Sequence, residues 1–216
     1  MKVLLFGASG TAGGAVLSAC LASPAVKSVR AITRRPLGLT HSKLQEILHR
    51  DFLDYADAAG AFREVDACLF CLGISATQVS GEAEYRRITQ GFALAAATAL
   101  HAASPNAVFH FISGQGTNPD SRLMWARVKG ETERELMARF GAVCWRPAAI
   151  DAEPSASSPR AYRYLRLLFP LLRPFRSLYV RGEDLGRAML QATTENLRGQ
   201  VLENAEIRDL AERAAR

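Results

Sequence analysis

The sequence predicts an α/β fold: a doubly wound parallel sheet of about seven strands, in one domain with a small C-terminal region on the substrate side. Three observations lead there. Short apolar runs alternate along the chain with longer segments of helical spacing, the pattern of repeated right-handed βα units. The runs Val3-Leu4-Leu5-Phe6 and Val108-Phe109-His110-Phe111-Ile112 are almost continuously apolar, as strands covered on both faces are. Gly7, Gly10 and Gly13 stand between the first such run and the first helical segment.

Each element follows in order. Lys2–Phe6 reads as a strand and Gly13–Leu21 as the helix that the glycine loop opens. Ser28–Thr33, Leu44–Leu48 and Ala67–Leu72 read as the next three strands. A long Ala-rich helix, Glu82–Ala103, leads to the strand Ala107–Ile112. The helix Ser121–Phe140 stops at Gly141, because glycine takes the left-handed C′ conformation at no steric cost. Ala142–Arg146, the helix Glu183–Thr193 and the strand Gln200–Glu203 complete the sheet. Between them, Asp151 to Ser177 carries Pro154, Pro159, Pro170 and Pro174. A stretch of that kind predicts a lid or substrate-side excursion over residues 151–181 of a single domain 1–216. No repeat of solenoid period is visible.

Composition narrows the class. The chain has 216 residues, 49% hydrophobic and 22% charged, with a mean hydropathy near zero, which excludes disordered and fibrous proteins. No apolar run approaches the ~18–20 residues that span a bilayer. The short apolar N-terminus runs straight into the glycine motif, unlike a cleavable signal. A cytoplasmic protein is expected. Cys68-x-x-Cys71 invites a metal or redox reading, but both lie on a predicted strand, where residues three apart face opposite ways. Small buried apolar roles are expected for them, and no metal. The net charge of +6 equals the six arginines at 160, 163, 166, 173, 176 and 181, a region without Asp or Glu from 155 to 181. The basicity is local, so a nucleic-acid partner, which needs a wide basic surface, is not expected.

Gly7-Ala8-Ser9-Gly10-Thr11-Ala12-Gly13 after a strand and before a helix is the arrangement that cradles a pyrophosphate. Gly7 permits the turn, Gly10 lets a ligand approach the backbone, and Gly13 lets helix and strand pack closely, while helix amides meet the phosphates. NAD-selective sites place an acid at the end of the second strand, about 20 residues on. Here that strand ends Thr33-Arg34-Arg35-Pro36. Two guanidiniums where a 2′-phosphate would arrive favour NADP(H) over NAD(H).

With these motifs the sequence resembles the extended or atypical short-chain dehydrogenase/reductases, and within them the Tat-interacting-protein-like and NAD(P)-binding epimerase-like branch. Gly-x-x-Gly-x-x-Gly matches the family loop, and the likeness runs from Lys2 to about Ile150, then thinly through Val180–Leu190 and Val201–Leu210. The resemblance implies a Rossmann-type sheet and assigns further residues. Asp51-Phe52 would flank adenine, and Cys71-Leu72-Gly73 would line the cofactor at the end of the fourth strand. Ser113 would bind the substrate oxygen. Lys129 would hold the nicotinamide ribose, and Arg146-Pro147 would form a turn near the nicotinamide.

One position departs from the family. Where it carries Tyr-x-x-x-Lys, this chain reads Trp125-Ala126-Arg127-Val128-Lys129. Indole N–H only donates and does not ionise near neutral pH, so Trp125 suits aromatic packing better than acid–base work. Tyr85, Tyr162 and Tyr164 are the candidate replacement donors. Two functions stay open: an NADP(H)-dependent oxidoreductase on a carbonyl or alcohol, or an inactive NADP(H)-sensing protein that regulates a protein partner. The segment 160–176 alternates Arg with bulky apolar residues and reads as lid first, peripheral membrane contact or a protein or RNA contact surface second. Glu131-Thr132-Glu133-Arg134-Glu135 reads as a solvated helix face. Helices Glu82–Ala103 and Ser121–Phe140 offer a four-helix dimer face, leaving monomer or homodimer.

Overall fold

Parallel pairing runs through the whole main sheet of the computed structural model, which describes residues 1–153 and 169–215. Strands β1 (Lys2–Phe6), β2 (Ser28–Thr33), β3 (Leu44–Leu48), β4 (Ala67–Phe70), β5 (Val108–Ile112), β6 (Val143–Arg146) and β9 (Gln200–Glu203) lie in the order β3-β2-β1-β4-β5-β6-β9. The order reverses beside β1, which pairs with both β2 and β4, in register Phe6 with Phe70. In open α/β sheets such a switch point leaves a crevice at the carboxyl ends of the strands. The expected fold class is the one observed.

Strand alternation divides the apolar residues between two cores. On one face, Val3, Leu5, Ala31 and Leu69 meet α1 (Thr11–Ala22), α6 (Gly182–Thr194) and α7 (Asn204–Arg213). On the other, Leu4, Phe6, Cys68 and Phe70 meet the alanines of α3 (Phe92–Ala103) and Leu136 of α4 (Met124–Phe140). Cys68 and Cys71 therefore belong to opposite faces, and burial pushes both thiols well above their usual range. Phe6 anchors an aromatic cluster with Phe70 at 5.2 Å and Tyr55 at 5.8 Å. His110, at the centre of β5, stays neutral: burial pulls it down to about 3, while it accepts from Trp145 Nε1 at 3.1 Å and bonds Thr193 at 3.0 Å.

Several elements differ from the sequence reading. The helix expected over 82–103 is broken by a π turn, Arg87–Gly91, between α2 (Glu82–Arg86) and α3. The helix expected from Ser121 begins at Met124, because Asn118 and Ser121 close a turn before it. A separate two-stranded parallel ladder, β7 (Ala149–Asp151) with β8 (Tyr179–Arg181), the short α5 (Phe169–Leu172) and α7 had no reading in the sequence. Asn204 holds this region together: it accepts from Ala148 N and donates to the carbonyls of Arg176 and Tyr179. Arg160, Tyr162, Arg163, Tyr164 and Arg166 lie outside the described residues. Of the basic segment that is described, Arg176 is paired with Asp209 and Glu212 of α7. Part of the local basicity is thus neutralised within the fold. Between α2 and α4, Arg86–Glu131 and Arg127–Glu82 form ion pairs across the proposed dimer face.

Helix α6 leans unusually close on α1. A Cβ added to Gly182 would collide with Ala15, and one on Gly186 would lie 2.5 Å from the Ala19 Cβ. Two glycines facing two alanines let the backbones approach as larger residues could not.

Candidate functional site at the carboxyl ends of the strands

The loop between β1 and α1 is shaped by what cannot fit in it. Gly7 has φ +76°, and a Cβ there would lie 2.6 Å from the Cys71 carbonyl group and 2.7 Å from Leu72 N. The loop thus touches the end of β4, and Cys71 N donates to Phe6 O at 3.1 Å. A Cβ on Gly13 would overlap the Gly7 carbonyl oxygen. Gly10 N donates back to Gly7 O at 2.9 Å and closes the turn. Gly10 is the N-cap of α1, with no side-chain cap and no acid in the first turn. The amides of Ala12 and Gly13 have no helical partner by geometry, and the helix start carries partial positive charge. Ser9, Gly10 and Thr11 line an open cavity of about 610 Å³, which Asp151, Glu153, Arg181 and Glu183 also line.

At the end of β2, Thr33 falls on the same face as Val29 and Ala31, the face that carries α1. Its residue is 6% exposed and its hydroxyl has no hydrogen-bond partner. Sequence reading placed Thr33 in a motif but gave it no role; the signal was its position in the strand alternation. Arg34 and Arg35 follow it into solvent. Arg34 shares a cavity of about 490 Å³ with His49, Arg50, Asp51, Asp54 and Asp57. Asp51 and Asp54 turn their carboxylates onto the amides of Leu53 and Ala56, at 3.0 and 2.9 Å. Phe52 points inward, 2% exposed, and packs on Phe6 and Phe92. Leu72 is half-buried and Gly73 exposed beyond β4.

At the end of β5, the structure brings Trp125 and Lys129 of α4 against the loop that begins at Ser113. Ser113 N donates to Trp145 O at 2.8 Å and Gln115 N to Pro147 O at 3.0 Å, which fixes the loop against β6. Trp125 and Lys129, four apart on α4, share a helix face. The indole edge reaches within 3.5 Å of the place a Cβ on Gly116 would take, and Lys129 Nζ within 3.6 Å of the same place at Gly114. Lys129 donates to the backbone oxygen of Ser113. Burial pulls its ammonium down to about 8, with Glu133 opposing. Ser113 and Thr117 hydroxyls are 2.8 Å apart, and Thr117 donates to Gly114 O at 2.8 Å. Nothing in the sequence pattern marked Thr117, which lies in an aperiodic loop.

Arg146 is turned away from this loop. Its guanidinium grips Glu133 in a fork, at 3.0 and 2.6 Å, and reaches Glu203 at 2.9 Å. Glu133 is 2% exposed, so the solvated face expected over 131–135 is instead sealed at that position. The reason is strand direction: Arg146, on β6, projects under α4 and draws the carboxylate in. Tyr85 is buried on α2, and burial raises its phenol. Tyr162 and Tyr164 fall outside the described residues. Among those residues no group of His, Cys, Asp and Glu is arranged for a metal ion. No described helix is long and apolar enough to cross a membrane.

No family model matches the sequence. The chain is 28% identical over 172 residues to protein fmp52-1, mitochondrial, of Aspergillus terreus, covering 76% of this chain and 74% of that protein. It is 24% identical over 163 residues to protein FMP52, mitochondrial, of Candida albicans, covering 73% and 70%. Two further fungal relatives are also named mitochondrial, which overturns the expectation of a cytoplasmic protein. Among solved structures, the Bordetella bronchiseptica enzyme WbmF in complex with NAD+ superposes with a TM-score of 0.71 at 12% identity, over 99% of this chain and 77% of that one. An oxidoreductase of the short-chain dehydrogenase/reductase family from Burkholderia thailandensis gives 0.68 at 16% identity, over 93% and 89%. These likenesses establish the Rossmann-like parallel sheet.

Proposed function

We propose that the chain binds a nicotinamide dinucleotide and acts as an oxidoreductase of the short-chain dehydrogenase/reductase type, in the Tat-interacting-protein-like and epimerase-like branch. The glycine loop carries this reading. Gly7 and Gly13 sit where any Cβ would collide, and the uncapped start of α1 faces a cavity, so the backbone is arranged to meet a pyrophosphate. The buried, unpartnered Thr33 hydroxyl beside that loop fits an adenosine ribose. The NAD+ bound by WbmF, a structure of the same fold, agrees with this reading. When bound, the cofactor would supply or accept a hydride at a carbonyl or alcohol carbon. Ser9 to Gly13 would hold its phosphates, Lys129 its ribose, and Ser113 the substrate oxygen. The segment 151–181 would close over the substrate.

NADP(H) is the preferred form in this reading. Arg34 and Arg35 extend from the end of β2 with no ion-pair partner among the described residues, and two of the nearby aspartates are engaged with their own backbone. Fluorescence titration with NADPH and NADH should show tighter NADPH binding. Arg34→Ala should remove most of the difference, roughly tenfold or more, since a phosphate–Arg contact is worth about 1.5–3 kcal/mol. Equal affinities in the unmodified protein would end the selectivity claim, and no binding of either would end the whole reading.

Trp125 favours a second reading, an NADP(H)-sensing binding protein, because it occupies the place of the proton-transferring phenol. Under that reading Trp125→Tyr confers carbonyl reduction on a protein that shows none. Comparable turnover by both proteins would dismiss it.

A further inference from the structure

We infer that Lys129 is itself the acid–base catalyst of this site, taking over the proton transfer that a phenol at position 125 would perform. The inference rests on the oxidoreductase reading above and follows from counting protons. Thr117 has one hydroxyl proton and gives it to Gly114 O. The 2.8 Å contact between Ser113 and Thr117 must then use the Ser113 proton. In the resting site the Ser113 proton is thus engaged by Thr117. Turned to a substrate oxygen it can orient that oxygen, but a serine hydroxyl does not ionise in the useful range and so does not transfer the proton. Trp125 supplies an N–H that does not ionise in the useful range. Among the described residues of the site Lys129 remains, with three protons on Nζ, of which one goes to Ser113 O. Its amine stands at the residue whose hydroxyl orients the substrate oxygen, on the same helix face as the indole.

The surroundings suit the role. The loop packed against Lys129, Ser113 to Thr117, offers hydroxyls and carbonyls but no charge. On its own helix the nearest carboxylate is Glu133, which is tied up by Arg146 of β6, itself shared with Glu203. On α2, Tyr85 is held protonated by burial, and Arg86 is paired with Glu131 and Glu82. Enclosure brings the ammonium down to about 8, within reach of proton transfer near neutral pH. In the reductive direction, the carbonyl carbon takes the hydride that a bound reduced nicotinamide supplies. The carbonyl π pair moves onto oxygen, where an O–H bond forms as an N–H bond of Lys129 breaks. The neutral amine regains its proton from water.

The test uses the whole chain with NADPH and the activated diketone diacetyl. The sequence contains four lysines, at 2, 27, 43 and 129. NMR of protein labelled at lysine Cε therefore resolves four titrations, with Lys129→Arg identifying its own. Lys129 should titrate with a midpoint near 8, and the reduction rate should fall about tenfold per pH unit above that midpoint. Lys129→Arg keeps the charge but not the transferable proton. Because Lys129 also holds the ribose, the variant should bind NADPH more weakly, by about tenfold, through donors a guanidinium still offers. At saturating NADPH it should reduce diacetyl on the order of 10²–10⁴ times more slowly. A rate that ignores the Lys129 titration, an active Arg variant, or bound NADPH without diacetyl reduction at any pH overturns the inference. Failure of the unmodified chain to bind NADPH overturns instead the reading beneath it.

Discussion

Gly13→Ala is expected to lose NADPH affinity by at least tenfold and to destabilise the chain by about 3 kcal/mol, at the upper end of what an inserted methyl costs in a closed site. The added carbon would overlap the Gly7 carbonyl oxygen, so either the loop lifts or the helix retreats from the strand. Either movement takes the amides of α1 away from the phosphates. For a domain of this size, 1 kcal/mol moves the melting temperature by about 2–4 °C, so a drop of roughly 6–12 °C should appear by calorimetry. A variant that melts normally and binds NADPH as before would show that the loop tolerates the methyl. The close packing invoked here would then be incorrect.

Glu133→Ala should cost more stability, about 3–5 kcal/mol, because it strands a guanidinium that had been held by a sealed carboxylate. Arg146 would retain Glu203 alone, whose side chain is 50% exposed. Urea unfolding measures the loss directly. The paired replacement Glu133→Leu with Arg146→Met should recover much of it, since apolar residues of similar volume replace buried ion pairs at little cost. If the pair of changes is as damaging as Glu133→Ala, the loss comes from packing and not from an abandoned charge. Salt should change neither result much, because a sealed pair is poorly screened.

Strands β1, β4 and β5 were legible because each is apolar along nearly its whole length and the sheet buries both faces there, so periodicity and burial carry one message. Strands β2, β3 and β9 carry Arg30, Glu46 and Glu203 and showed only as short apolar runs. The four long helical segments were legible from their spacing of about 3.6 residues, apart from the π turn at 87–91, which leaves no mark in an Ala-rich periodicity. The four-residue α5 and the polar α7 went unread. The ladder of β7 with β8 escaped because its strands have three residues each and are joined through a proline-rich excursion. At the candidate site, the glycine loop and the 125–129 pair show in sequence because their spacing is itself the geometry. Thr117, Thr33 and Glu133 depend on tertiary direction: which way a loop folds back, which strand face a hydroxyl takes, and which arginine lies beneath a helix. A charged residue inside an alternating charged run looks solvated until the strand under it is known.

The glycine and alanine seam between α6 and α1 has a mechanical consequence. Gly182 follows β8 directly, so the element leaving the C-terminal excursion is bolted, without a cushion of side chains, to the rod whose tip faces the phosphate cavity. Rods seated backbone to backbone do not slide past one another; they tilt together. Any shift at that tip is therefore passed to the base of the excursion as one rigid lever, and a bulky residue at 186 would act as a wedge, prying both ends apart at once.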